Sequence, residues 1–242
     1  MRCLILRLDG PLMAFGDVAV DEIRPTRRLP TLSMLTGLLG NALGYDHGDG
    51  HALQRLQDRL LIAARLDHPG RTIVDYQTAE IAKKDPMWTT RGKPAERAGG
   101  DQSYSGPVLR YRHYVADAVV TVAVSLEPAG EAPTLDHLEE ALRRPARPLF
   151  LGRKGCPPAR PLLVGRSQEV DGFAEALDAI PVEQRRGEHS GTVATLVEVP
   201  DRAGEPTADR VVEVADVRDW VSGLHVGGRR VRELRIAHGG EP

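Results

Sequence analysis

The chain has 242 residues, of which 41% are hydrophobic, 27% charged and 4% aromatic, which implies one soluble globular domain with elaborations, or a domain and a small appendage. So few aromatics argue against an RNA-binding sheet built on stacked rings, and two cysteines, Cys3 and Cys156, cannot make a disulfide framework or a four-cysteine zinc site. No apolar run approaches the roughly 18–20 residues of a membrane span, and MRCLILRLDGPL lacks a long h-region and a cleavage site, so a cytoplasmic protein is expected.

Cys3–Leu8 (CLILRL) reads as a buried strand closed by Asp9-Gly10-Pro11, with Cys3 a buried thiol. An irregular stretch runs to Pro30. Thr31 or Ser33 then offers an N-cap, and Leu32, Leu35, Leu38, Leu39 and Leu43 recur at helical spacing up to Gly44. Gly37 and Gly40 lie inside this helix, where each glycine costs about 1 kcal/mol relative to alanine. Close approach of the helix to the sheet or to a bound backbone is the expected return. His51–Leu60 makes a second short helix, and Leu61–Leu66 and Arg71–Tyr76 read as strands joined at Asp67-His68-Pro69-Gly70. Ala79–Pro107 carries Lys83, Lys84, Trp88, Arg91, Lys93 and Arg97 with little periodicity, and reads as a protruding arm between two strands of the sheet.

Thr121–Leu126 (TVAVSL) is a strand, and Thr134 caps a helix bearing Leu135, Leu138 and Leu142. Strand, helix, strand, strand, helix, strand is the order of an α+β, ferredoxin-like (RRM-like) βαββαβ domain, assigned to residues 1–170 with the arm at 79–107. From Phe173 a short helix precedes strands near Val193–Val199, Arg210–Val214 and Arg229–Ile236. Residues 171–242 are therefore expected to form a C-terminal β-rich extension.

A net charge of −2 does not suit a free-standing nucleic-acid binder, but its distribution is uneven. Arg143, Arg144, Arg147, Arg153, Lys154, Arg160 and Arg166 fall between Ala141 and Gln168 with no acid among them, while acids collect at Glu169–Asp178 and Asp201–Asp219. A two-sided molecule of this kind can hold a phosphate backbone, and a solvated basic face is the plainer reading.

Three constellations sharpen the choice. Arg24, Arg27 and Arg28 precede a helix start at Thr31 and Ser33, where N–H groups, helix dipole and guanidinium forks make a phosphate site, or else a capped helix beside surface arginines. In Gly152-Arg153-Lys154-Gly155 the glycines admit close backbone approach and the cations neutralise phosphate, or the segment is a basic surface turn; Walker A spacing is absent. In Arg110-Tyr111-Arg112-His113-Tyr114, strand alternation puts Arg110, Arg112 and Tyr114 on one face, able to stack on splayed bases, or the segment is a mixed edge strand. His113 beside tyrosine also raises metal-independent RNA cleavage, with imidazole as general base. The eight histidines show no metal-ligand spacing, no Ser/His/Asp triad can be assembled, and no cofactor or metal is implied.

Together, LILRLDGP (Leu4–Pro11), Ala14–Gly16, RPTRRLPTLSMLTGLLGNALG (Arg24–Gly44), DYQT (Asp75–Thr78), RHYVADAVVTVAVSL (Arg112–Leu126) and PLFLGRKGCPPARPL (Pro148–Leu162) resemble the CasD family. This is the backbone-capping subunit of type I-E Cascade, within the repeat-associated RNA-binding superfamily. The resemblance implies a ferredoxin-like fold with a thumb, placed here at Ala79–Pro107. It also implies a non-catalytic subunit that binds the 5′ handle of the crRNA, touches the backbone subunits and the large PAM-reading subunit, and meets target DNA through the complex. The related type I-C subunit cuts precursor RNA itself, whereas type I-E delegates cutting, so His113 reverts to a binding or structural role. Arg24, Arg27, Arg28, Thr31 and Ser33 are then expected at handle phosphates. Arg110, Arg112 and Tyr114 are expected at bases or sugars, Arg153 and Lys154 at the backbone, and Lys83, Lys84 and Trp88 on the thumb. Beyond Arg166 the resemblance implies only that Trp220 packs.

Overall fold

A computed structural model describes residues 1–79, 108–165, 168–183, 193–203 and 205–238, with the backbone of two short strands between them. The N-terminal part contains β1 (Arg2–Asp9), β2 (Leu12–Met13), β3 (Ile23–Arg24), α1 (Leu32–Leu43), α2 (Gly50–Arg59), β4 (Leu60–His68) and β5 (Arg71–Ala79). Next come β6 (Met87–Trp88), β7 (Pro94–Ala95), β8 (Val108–Ala116), β9 (Val119–Leu126), α3 (Leu135–Arg143), β10 (Gln168–Glu169) and α4 (Phe173–Asp178). Three long strands close the chain: β11 (Val193–Pro200), β12 (Arg210–Asp219) and β13 (Leu224–His238).

The main sheet has the order β10-β1-β9-β4-β11-β13-β12. Its first four strands follow the ferredoxin-like arrangement, with β9 antiparallel between β1 and β4, the two strands that α1 and α2 connect. One expected strand goes elsewhere. β5 leaves this sheet and pairs with β8 from Arg71↔Ala116 to Ala79↔Val108, and β8 also pairs with β2 and β3 to make a second sheet. Two residues turn the chain out of the main sheet. Gly70 has φ +56° with the Ala116 carbonyl 2.2 Å from where a Cβ would sit, and Asp117 opposite it has φ 57°. β5 ends at Ala79 opposite Val108, where β8 begins, and β6 and β7 pair with each other. Lys83 and Lys84 lie outside the described residues.

Helices cover both faces of the sheet's centre. On one side Leu4, Leu6, Leu8, Val120, Val122 and Val124 pack with Leu35 and Leu39 of α1 and Leu138 of α3. On the other, Cys3, Ile5, Ala63 and Ala123 pack with Phe173, Ala176 and Leu177 of α4 and Val197 of β11. Arg65, 1% exposed, anchors α4 by donating to the Leu177 carbonyl while it pairs with Asp67 at 2.7 Å. The C-terminal strands join this sheet through β11 and β4, where Leu196 lies opposite Leu66.

Thr31 is the α1 cap, accepting from the Met34 N–H at 3.3 Å, and Gly44 ends the helix at φ +88°. The helix glycines do not face the sheet: a Cβ at Gly40 would lie 2.4 Å from Leu53 of α2, and one at Gly37 would touch the Trp220 ring at 3.5 Å.

Candidate nucleic-acid interface

The second sheet sorts its side chains by strand alternation. Opposite pairs in register share a face, so Arg24, Arg112 and Asp75 stand in one row, with Arg110 and Gln77, and Tyr114 and Ile73, in the rows beside it. The other face holds Ile23, Tyr111 and Tyr76 in one row and His113 with Val74 in the next. The Tyr76 and Tyr111 rings lie 5.0 Å apart on that face, both exposed.

The loop from Leu149 to Cys156 closes onto the cationic face. Gly152, at φ +91°, brings the backbone so near β2 that a Cβ would overlap the Ala14 carbonyl at 1.6 Å. Arg153 then reaches across, donating to the His113 carbonyl at 2.9 Å and the Arg24 carbonyl at 3.1 Å, with its guanidinium 4.5 Å over the Tyr114 ring. Arg153 thus binds β3, β8 and the loop into one unit, and Lys154 beside it is exposed. Three stretches far apart in sequence converge here.

Not every expected contact is free for a ligand. Arg27 is held in a 2.5 Å ion pair with the buried Glu198 of β11. Burial pushes the Glu198 carboxyl above its ordinary pKa, and Arg27 and Arg229 pull it back. The Thr31 hydroxyl donates to the Phe15 carbonyl at 2.6 Å and is 4% exposed. The α1 N-terminus is already met by an anion, because Asp216 of β12 accepts from the Leu32 N–H at 2.8 Å while paired with Arg229 at 3.1 Å. Arg28 and Ser33 remain at this end, Arg28 exposed and Ser33 half-buried.

The acid-free basic stretch is also largely neutralised in space. Arg143 pairs with Glu139 at 2.9 Å, Arg144 with Glu140 at 3.9 Å, Arg147 with Asp46 at 2.6 Å, and Arg160 with Asp9 at 2.6 Å. Arg166 lies outside the described residues. Among the described residues, Arg24, Arg28, Arg110, Arg112, Arg153 and Lys154 have no carboxylate within ion-pair distance. No cluster of metal-ligating side chains occurs among the described residues, and no described helix is long and apolar enough to cross a membrane. For Trp88 only the β6 backbone is described.

Residues 3–232 match the family described as CRISPR-associated protein (Cas_Cas5). The chain belongs to this family. Within it, the CRISPR system Cascade subunit CasD of Escherichia coli (strain K12) is 34% identical over 179 residues, covering 74% of this chain and 77% of the relative. A chain in the structure of a CRISPR RNA-guided surveillance complex superposes at a TM-score of 0.71 with 27% identity, covering 97% of this chain and 90% of that one. The crystal structure of a Cas protein shares the fold at a TM-score of 0.61 with 24% identity, covering 97% and 95%.

This Cas5-family chain also has a groove of about 560 Å³ along α1, which links Ser33 to Arg153 and Lys154 and then to Arg218 and Trp220 at the end of β12 and His225 at the start of β13. Sequence reasoning treated Trp220 as packing alone and passed over Arg218, Asp216 and His225. The one signal was an Arg-Asp-Trp triplet a few residues beyond the strand predicted at Arg210–Val214.

Proposed function

We propose that this chain is the non-catalytic subunit that caps the 5′ handle of the crRNA in a type I-E CRISPR Cascade surveillance complex and supports interference with target DNA. One observation carries the reading: β3, β8 and the Gly152–Gly155 loop bring Arg24, Arg110, Arg112, Tyr114, Arg153 and Lys154 to one face. Guanidiniums without carboxylate partners on a sheet face, interleaved with a tyrosine, suit single-stranded RNA held by phosphates and sugar edges. Residues 1–170 form the RRM-like handle-binding domain, 79–107 its thumb and 171–242 the extension. An RRM stacks bases on its open sheet face, but here α4 covers that face, so RNA is held at the second sheet instead.

The name of the Escherichia coli relative and the assembly that holds the similar chain support a multisubunit ribonucleoprotein. Its other members are the backbone-forming subunits and the large PAM-reading subunit, with target DNA reached through the complex in the cytoplasm. The chain is a binding protein with no turnover. His113 shares its face with Val74, Tyr76 and Tyr111, opposite the cations, so it makes no general base beside a bound backbone.

The test is co-expression of the tagged chain with its genomic neighbours and a repeat-spacer RNA. Replacing Arg112→Glu together with Lys154→Glu is expected to reduce recovery of guide RNA, increasingly so at higher salt. Unchanged recovery and salt dependence would refute the assignment.

A further inference from the structure

The far wall of the groove is built by the end of β12. Arg218 there lies with its guanidinium 4.8 Å over the Trp220 ring. Its Nε is buried without a hydrogen-bond partner among the described residues, and burial pushes the guanidinium pKa down. The neighbouring acids are occupied. Asp216 holds Arg229 and the Leu32 N–H, and Asp219 accepts from the Val221 and Ser222 N–H groups at 2.8 and 3.1 Å.

The pair is fixed in place beforehand. Gln57 accepts from the Trp220 indole Nε1 at 2.9 Å and donates to the Arg218 carbonyl at 2.7 Å, while Gln54 accepts from the Trp220 N–H at 2.9 Å. A partly buried cation without an anion is disfavoured by its lost hydration, and an arriving anion offsets that loss. A guanidinium laid on an aromatic face with its N–H edge free is suited to phosphate. Lys154, exposed and without a carboxylate among the described residues, lines the same groove, as does the Ser33 hydroxyl. A groove of this volume takes a unit of nucleotide size.

We propose that Arg218, held flat on Trp220, anchors one phosphate of the single-stranded guide in this groove, with Lys154 as the second anchor. The C-terminal strands then take part directly in guide binding. This rests on the handle-capping reading above.

The test uses the complex reconstituted with the full-length chain and a handle RNA carrying a neutral methylphosphonate at one linkage at a time. The wild type is expected to lose affinity at a small set of linkages. Arg218→Gln should abolish the loss at one of them only and lower the slope of log affinity against log salt by about 0.7, with Arg218→Lys restoring the slope. As a measurement on the unaltered chain, 4-thiouridine in the handle should crosslink to the tryptic peptide Asp219–Arg229. An unchanged scan and slope in Arg218→Gln, or no crosslink to that peptide from a complex that holds guide, overturns the anchor and leaves handle capping intact. If the wild-type complex carries no guide, both readings fall.

Discussion

Arg27 and Arg28 are neighbours in sequence with opposite surroundings, and replacing each by alanine separates a structural arginine from one available to RNA. Arg27 is 18% exposed at its side chain and Glu198 5%, so Arg27→Ala strands a buried carboxylate. Removing one partner of a buried pair costs about 3–5 kcal/mol, and nearby Arg229 should keep the loss near the lower end, about 3 kcal/mol. For a chain of this size each kcal/mol moves Tm by about 2–4 °C, so a drop of roughly 6–12 °C is expected. The pH dependence has a definite direction. Burial already raises the Glu198 pKa, and losing Arg27 raises it further, so the folded state holds that proton more tightly than the unfolded chain. The loss is therefore full at neutral pH and shrinks as pH falls through the raised folded pKa. Arg28→Ala should leave Tm unchanged and weaken guide binding. Thermal unfolding at pH 5 and pH 7.5, with guide binding measured in parallel, checks both variants. If Arg27→Ala lowers Tm by less than 2 °C and weakens guide binding as Arg28→Ala does, the internal role of Arg27 is wrong.

Further outcomes follow from the packing. Gly152→Ala places a Cβ on the Ala14 carbonyl at φ +91° and should cost about 2 kcal/mol or more, read as a lower Tm together with poorer guide retention. Phe173→Ala empties the pocket beneath α4 and should cost about 3–5 kcal/mol in a denaturant titration. Cys3, whose thiol burial pushes up to about 11, and Cys156, also raised by burial, should not react with a thiol reagent at neutral pH. Both should react once the chain is unfolded; reaction in the native state would show that one of them is open to solvent.

The ferredoxin-like core was legible because its signals are local. The leucine spacing of α1, the cap at Thr31, the left-handed stop at Gly44 and the short β-branched run of β9 are each set by neighbours a few residues away. The fate of β5 was not, since the Asp67–Gly70 turn was visible but its strand's partner is chosen by a bend shared with Asp117 across the ladder. Charge was the least legible property. The basic stretch has no acid within it, yet Asp9, Asp46, Glu139 and Glu140 neutralise four of its arginines from outside. The helix terminus that invited a phosphate receives Asp216 from 184 residues away. The Arg24, Arg112 and Arg153 stretches were each visible alone, and their convergence was fixed only when Arg153 met the Arg24 and His113 carbonyls.

The most direct test of handle capping is ultraviolet crosslinking of guide RNA in the purified complex, with the crosslinked nucleotides mapped to peptides of this chain. The account predicts crosslinks from the first nucleotides of the guide to peptides containing Arg112, Tyr114 and Lys154. Guide that crosslinks to this chain only within the spacer, or not at all, would contradict it.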